Sequence, residues 1–445
     1  MVRVRFAPSP TGRLHVGNIY IALNNWLFAK RANGRFLLRL DDTDTERSTE
    51  AFAQGIRDDL TWLGLAWDEY ASQSTRLAAY DTAAARLKAV GRLYPCYESA
   101  EELALRRKIQ LGQGKPPVYD RAALKLDHAQ RMQIEAAGRR PHWRFKLEAR
   151  QVEWDDLVRG HQHIDESSQS DPVLIREDGT YLYTLPSVVD DIDLGIIHVI
   201  RGNDHVTNTA TQIQIFEALG AKVPGFAHLP LLVDASGEGL SKRLGSLAIG
   251  QLRDEGLEPM AINAYLACIG SGDPVEPRQT LSDLLATHDL GKFGKTSPRF
   301  DPAELRHLNA RALHLLPYDQ ARGHLLAAGL GHIDAAIWDA ARGNVEKLQD
   351  VADWHRICRS EIAPRIADGE FARQAATLLP SEPWDGETWK RWTEAVKAAT
   401  GRKGKDLFMP LRLALTSLDH GPELKVLLPL IGRNRAVKRL NGETA

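Results

Sequence analysis

The first forty residues carry a clear pattern of apolar and polar positions. Val2-Arg3-Val4-Arg5-Phe6 is a short β-prone run, and a polar loop follows it. From Ile19 the apolar residues Ile19, Ala22, Leu23, Trp26 and Leu27 fall at helical spacing, with Asn33-Gly34 as the stop. Arg35-Phe36-Leu37-Leu38-Arg39-Leu40 then reads as a second strand. The connecting loop is Ala7-Pro8-Ser9-Pro10-Thr11-Gly12-Arg13-Leu14-His15-Val16-Gly17-Asn18. Two prolines stiffen it, while Gly12 and Gly17 permit close approach that a Cβ would hinder. Such a βαβ unit sets a helix N-terminus, with free N–H groups and a positive dipole end, over the carboxyl edge of a parallel sheet. That is a place for a phosphate, and His15 stands there.

Further along, helical patterns cover Thr82 to Val90 and Ala100 to Gln110, followed by a loop at 112–117 and a strand-like run over His142-Trp143-Arg144-Phe145-Lys146. The sheet is expected to resume around Tyr183, with a buried parallel strand over 195–200, a helix over Thr209 to Leu219 and a strand near Leu229 to Val233. Gly239-Leu240-Ser241-Lys242-Arg243 lies in a Gly-rich loop, and helices are expected from Leu247 onward. Beyond about 307 the chain is Ala- and Leu-rich, with Trp338, Trp354, Trp384, Trp389 and Trp392 among helical patterns and few strand signals. No internal repeat or low-complexity tract stands out.

At 445 residues the chain exceeds one ordinary hydrophobic core, so two to four domains are expected. Its 43% hydrophobic and 26% charged residues are those of a soluble globular protein. No run approaches the roughly 20 apolar residues of a membrane span, and no apolar leader precedes the first strand. Three widely spaced cysteines, Cys96, Cys268 and Cys358, suggest no disulfide framework, which fits a reducing cytoplasm. The net charge of −1 neither supports nor excludes a nucleic-acid partner, because a local basic face can supply phosphate contacts.

An HxG at a helix mouth and a downstream SKR loop, separated by a long α/β segment, resemble the paired signatures of class I aminoacyl-tRNA synthetases. FAPSPTGRLHVGN, NWLFA, RLDDTD, VVDD, VIRGNDH and GLSKRLGS are similar to the glutamyl-tRNA synthetase family in its bacterial form, as are SPRFDPAELRHLN at 297–309 and GRKGKDLFMPLRLAL at 401–415. The resemblance implies an α/β fold: a Rossmann-like core over 1–84 and 184–235, split by an acceptor-end-binding insertion over 85–183. A stem-contact region with the SKR loop would follow over 236–306, then an α-helical anticodon-binding domain over 307–445. It implies a cytoplasmic monomer acting on ATP (with Mg2+), L-glutamate and tRNA.

The family reaction joins the glutamate carboxylate to the α-phosphorus of ATP, releases pyrophosphate, and passes the acyl group to the terminal adenosine of the tRNA. By resemblance His15, Lys242 and Ser241 are the catalytic residues, and Pro8, Gly17, Asn18, Lys242 and Arg243 hold ATP. The amino-acid pocket must grip two carboxylates and an ammonium. Arginine suits the carboxylates because its planar fork gives two parallel charge-assisted bonds. Arg5 and Arg201 stand at strand ends where an α/β sheet presents its ligand, and Asp41 closes the second strand, where it could take the ammonium. Ser9 and Tyr183 complete the set implied by the resemblance.

The chain departs from the family at several places. Tyr20 stands where relatives carry arginine, Gly239 where the loop motif often begins with lysine, and Ser187 where some relatives place a pocket asparagine. Some bacterial members hold zinc through a Cys-x-Cys and a later Tyr-x-x-x-Cys. Here Cys96 and Tyr119 remain, with Glu98 and Ala123 in the other places. One thiol does not complete that site, so no structural zinc is expected. The acidic runs Asp41-Asp42-Thr43-Asp44 and Asp190-Asp191-Ile192-Asp193 are read as a helix-capping loop and a sheet-edge element rather than a magnesium cage, and His161-Gln162-His163 as a surface strand. Four alternatives stay open: glutamylation of tRNA(Gln) as well as or instead of tRNA(Glu), the short paralogue that attaches glutamate to a modified tRNA nucleoside and lacks the C-terminal anticodon part, a tRNA-binding paralogue without catalysis, and a small-molecule nucleotidylyltransferase sharing the HxG.

Overall fold

The computed structural model describes residues 1–240 and 247–445 and divides into two compact units. One comprises 1–252, 263–275 and 280–301; the other comprises 253–262, 276–279 and 302–445.

In the first unit β1 (Arg3–Phe6) pairs in parallel with β2 (Arg35–Leu40), and β2 with β3 (Glu69–Ser72). On the other side of β1, the N–H of Ile197 donates to the carbonyl of Arg3 at 3.0 Å, which brings β9 (His198–Gly202) alongside. Parallel pairing of β9 with β10 (Gly225–Leu229) extends the sheet, giving the order β3-β2-β1-β9-β10. The crossovers are α1 (Val16–Arg31) between β1 and β2, α2 (Glu50–Trp62) between β2 and β3, and, after α3 (Leu77–Ala89), α7 (Val206–Ala218) between β9 and β10. A strand covered on both faces should be apolar almost throughout, and β2 is buried from Phe36 to Leu40.

The segment after α3 forms a smaller antiparallel sheet, β4 (Leu93–Cys96), β5 (His142–Phe145) and β8 (Val173–Ile175), in that order. It also sends out the hairpin β6 (Gln151–Asp156) and β7 (Gly160–Asp165), whose first strand docks in parallel on β10. Strand β6 alternates strictly, with Val152, Trp154 and Asp156 inward, so its period of two carries an acidic residue into the interior. Helices α4 (Ala100–Gly112) and α5 (His128–Ala136) lie between β4 and β5 in sequence, and α6 (Thr184–Asp193) leads back to β9.

Helix α1 is buried on nearly all sides, so its polar side chains must find partners. Asn25 Nδ2 donates to the carbonyl of Ile200 at 3.0 Å, Trp26 Nε1 to that of Ala66 at 3.1 Å, and Asn24 Oδ1 meets His288 Nε2 at 2.9 Å.

The described part of the second unit beyond residue 301 is helical, running from Pro302–Leu315 to Arg433–Leu440. Its core is built around Trp338, Trp354 and Trp392, with Trp384 and Trp389 packed partly buried against it.

Several elements differ from their sequence reading. Helix α1 begins at Val16 rather than Ile19, because the His15 side chain caps it. The parallel strand expected over 195–200 lies at 198–202, since Gly195, at φ +64°, still belongs to the turn ending α6. The last strand lies at Gly225–Leu229, upstream of its expected place, and within the expected span Val233 makes isolated bridges instead. At Tyr183 a helix starts where the sheet was expected to resume. Trp384 lies outside any helix.

The Asn33-Gly34 stop is a steric necessity. A Cβ on Gly34 would sit 2.4 Å from the carbonyl oxygen of Val2, inside the β1–β2 start. Gly34→Ala is therefore expected to destabilise the chain by about 1–3 kcal/mol, as overpacking does, read as a lower midpoint in denaturant unfolding.

Candidate active site

At the carboxyl edge of the parallel strands opens a cleft of about 440 Å³, lined among others by Arg5, Pro8, Ser9, His15, Gly17, Asn18, Asp41, Tyr183 and Arg201. Nine of the sequence-predicted site residues thus meet in one place. The remaining three, Ser241, Lys242 and Arg243, lie outside the described residues. The chain on either side of them does reach the cleft. Gly239 and Leu240 line it, Val16 N–H donates to the Leu247 carbonyl at 3.1 Å, and Ile249 N–H to that of Leu14 at 2.9 Å.

His15 is the N-cap of α1. Its Nδ1 accepts the backbone N–H of Gly17 at 3.1 Å, and its own backbone N–H donates to Asn18 Oδ1 at 3.1 Å, a reciprocal capping box. An imidazole that accepts at Nδ1 carries its proton at Nε2, and burial lowers its pKa further from protonation. His15 is therefore a neutral donor at Nε2. Gly17 belongs to this arrangement, since a Cβ there would lie 3.0 Å from the His15 ring.

Beneath the cleft floor lies a chain of buried ion pairs. Arg5 faces Leu37 across the β1–β2 pair, and Arg39 two residues on shares its sheet face. Arg39 is fully buried, donating from Nε and Nη2 to the two oxygens of Asp41 at 2.7 and 3.2 Å and from Nη1 to Asp191 at 2.9 Å. Asp191 in turn accepts from Arg5 Nε and Nη2 at 3.0 and 3.4 Å. Burial alone would weaken the Arg39 charge, but Asp41, Asp191 and Asp190 outweigh it and hold the guanidinium protonated. Burial also works against ionisation of Asp41, whose charge depends on Arg39 and Arg5. Asp190 is tied by Gln73, Arg76 and Tyr80.

Arg201 is held differently. It donates to Thr209 Oγ1 at 2.8 Å, His228 Nε2 at 3.2 Å, the Tyr183 hydroxyl at 3.3 Å and the His205 carbonyl at 3.4 Å. All four are uncharged, and among the described residues no carboxylate pairs with it. Burial accordingly lowers its pKa. His228 stands opposite Arg201 in the β9–β10 register and meets Asp156 Oδ2 through Nδ1 at 2.5 Å, so the inward acid of β6 fixes the imidazole that fixes Arg201.

Sequence reasoning did not assign Asp191, Arg39, His228, Asp156 or His205 to the site. Arg39, Asp191 and His205 lie within the RLDDTD, VVDD and VIRGNDH matches; His228 and Asp156 carried no local signal. The acidic loop at 41–44 is not the cap of the following helix: Thr49 caps α2, while Asp42 binds Ser72 and Ser74, and Asp44 binds Arg47. Tyr20 lines the cleft as a neutral phenol packed edge-on against Phe293. Ser187 is fully buried with its hydroxyl unpartnered and is not among the cleft residues.

Residues 1–288 match the family described as tRNA synthetases class I (E and Q), catalytic domain, and 369–442 match an anticodon binding domain. The chain is 60% identical to a glutamate–tRNA ligase of Azospirillum brasilense over 445 residues, covering 100% of both chains. This chain belongs to the glutamate–tRNA ligase family. It is also 58% identical to a glutamate–tRNA ligase 2 of Methylorubrum populi, over 99% of each chain. A crystal structure of a glutamate tRNA ligase from Elizabethkingia meningosepticum, in complex with its amino acid, superposes with a TM-score of 0.87 at 26% identity, covering 99% of this chain and 98% of that one. The fold is therefore that of a class I synthetase catalytic domain followed by a helical anticodon-binding region.

Taking Arg39 away would leave Asp41 and Asp191 buried without their shared cation. Arg39→Gln is expected to cost about 3–5 kcal/mol of stability near neutral pH, measured by chemical unfolding. Because the folded-state pKa of Asp41 is already raised, that deficit should shrink as the pH falls and the carboxyl takes up a proton.

Proposed function

We propose that this ligase attaches L-glutamate to tRNA(Glu) through a glutamyl-adenylate, consuming ATP with its Mg2+ and releasing AMP and pyrophosphate. The observation that carries this reading is Arg201: a buried guanidinium opening on the cleft with only neutral partners. Such a cation is completed by an anion, and a carboxylate matches its planar fork. Arg5, on the same cleft but already engaged by Asp191, supports a second anionic contact, and Asp41 an ammonium. Together they suit an amino acid with two carboxylates. Ser9 and Tyr183 complete the glutamate set.

The nucleotide side of the cleft is the mouth of α1. Pro8, Gly17 and Asn18 would flank the ATP there, and the neutral His15 donates from Nε2 to the α-phosphate as charge grows on its oxygens. An oxygen of the glutamate α-carboxylate attacks the α-phosphorus, and the bond to pyrophosphate breaks in line. Lys242, with Ser241 and Arg243, would close over the departing pyrophosphate. Positioning and charge neutralisation suffice for such a step. The ribose hydroxyl of the tRNA's terminal adenosine then takes the acyl group and AMP leaves. The segment 85–183 is assigned to the acceptor end, 236–306 to the stem, and 307–445 to the anticodon, where Arg402, Lys403 and Lys405 lead into an exposed helix start. Action as a monomer in the cytoplasm completes the proposal.

The test is charging of separate tRNA(Glu) and tRNA(Gln) transcripts with labelled glutamate and ATP by the purified protein. Charging of tRNA(Glu) is expected, and failure with both transcripts would sink the reading. Arg201→Lys should raise the KM for glutamate about 10- to 100-fold, since a charge-assisted pair is worth about 1.5–3 kcal/mol, while the KM for ATP changes little. Lys242→Ala should lower kcat by about 10²-fold or more, the cost of one donor to developing oxyanion charge, with tRNA binding near normal in a filter assay.

A further inference from the structure

Behind Arg201 lies a buried acid supplied by the β6–β7 hairpin. Asp156 closes β6 and turns inward where that strand docks on β10. Its Oδ1 accepts the backbone N–H groups of Arg159, Val158 and His228 at 2.9, 3.0 and 3.1 Å. Its Oδ2 meets the His228 ring at Nδ1, at 2.5 Å, and both side chains are fully buried. Burial would push the Asp156 carboxyl up, but the bonds from His228 and Arg159 outweigh it and keep the group ionised.

This contact decides where the imidazole carries its proton. An ionised carboxylate only accepts, so Nδ1 must donate to it. Burial lowers the His228 pKa against the pull of Asp156, and the Arg201 charge lowers it further, so the ring is neutral. Nε2 is then a bare lone pair, with Arg201 Nε at 3.2 Å and Thr209 Oγ1 at 3.0 Å in front of it. A guanidinium only donates, so its bond to His228 exists in this tautomer alone. Thr209 could serve either tautomer. Its oxygen already accepts from Arg201 Nη2 at 2.8 Å, and its proton reaches the His205 carbonyl at 3.2 Å, so it would also accept an Nε2 proton. The choice is therefore open on the Arg201 side and closed from the Asp156 side.

We propose that Asp156 and His228 are positioning residues for the amino-acid substrate: the acid selects the imidazole tautomer with a bare Nε2, and that nitrogen aims Arg201 into the cleft. An uncharged acceptor is what the place requires. A carboxylate there would pair with the guanidinium and compete with the incoming anion. The inference rests on the reading of Arg201 as a glutamate contact. A role confined to tying the hairpin to β10 would alter stability, and both substrates alike, without singling out glutamate.

The test is Asp156→Asn in the full-length protein, which keeps the shape and removes the charge. With its amide nitrogen toward His228, the new side chain donates to Nδ1 and drives the ring proton to Nε2, breaking the Arg201 bond. Turned the other way, the amide sets its own N–H groups against three backbone N–H donors, so a flip gives no escape. In tRNA charging the KM for glutamate should rise about tenfold, the scale of one hydrogen bond to a charged group, with the KM for ATP within about twofold of the parent. Added to Arg201→Lys, the same change should raise the glutamate KM by no more than about twofold, because it acts only through that guanidinium. Fully additive effects overturn the proposal. So does an unchanged glutamate KM in Asp156→Asn when Arg201→Lys has raised it; if Arg201→Lys itself leaves that KM unchanged, the glutamate reading of Arg201 fails first and this inference with it. Neutron diffraction of the unaltered, deuterium-exchanged protein reads the tautomer directly and does not depend on the variants folding. Deuterium on Nδ1 and none on Nε2 of His228 is expected, and deuterium on Nε2 overturns the proposal.

Discussion

The cleft depends on one buried guanidinium. Arg39 has no exposed surface, yet it ties Asp41 at the end of β2 to Asp191 on α6, and Asp191 ties Arg5 on β1. Two strands and a helix that meet at the sheet edge are thereby fixed by charge rather than by apolar contact alone. A buried ion pair adds little net stability compared with an apolar replacement, because both charges must first lose water. What such a network supplies here is placement. Arg5 is a long side chain with several rotamers, and a two-point grip by Asp191 selects one of them.

The two arginines of the cleft are prepared in opposite ways. Arg5 is charge-compensated from behind, while Arg201 is held by a hydroxyl, a phenol, an imidazole and a carbonyl, none of which neutralises it. The path Asp156 to His228 to Arg201 places the acid one residue further away, so that it orients without satisfying. On the proposed reading this asymmetry separates a structural anchor from a contact that gains most when a carboxylate arrives. The neutral state of His15 follows the same economy: its Nδ1 is spent on the helix cap, which leaves a single donor with one direction.

Much of this was legible in the chain. The βαβ opening, the stop at Asn33-Gly34 and the helical character beyond 307 follow from periodicity and turn chemistry, which are local properties. The pocket residues from Arg5 to Tyr183 and Arg201 came from strand-end positions and the family resemblance, and they converge because an α/β sheet presents its strand ends at one edge. Element limits were less legible. A polar histidine can begin a helix that its apolar spacing dates from Ile19, and a glycine at positive φ can keep a turn going where a strand seemed to start.

By itself, then, the sequence determined which segments are strands and helices in outline, which family they compose, and which side chains could meet at the carboxyl edge. Only the tertiary structure decided how those side chains are charged and aimed. Asp156 and His228 are 72 residues apart and neither belongs to a motif, yet period-two alternation and parallel register put them in contact beneath Arg201. Periodicity is local and can be read residue by residue. Register, burial and the loss of water that shifts a charge are set by elements distant in sequence.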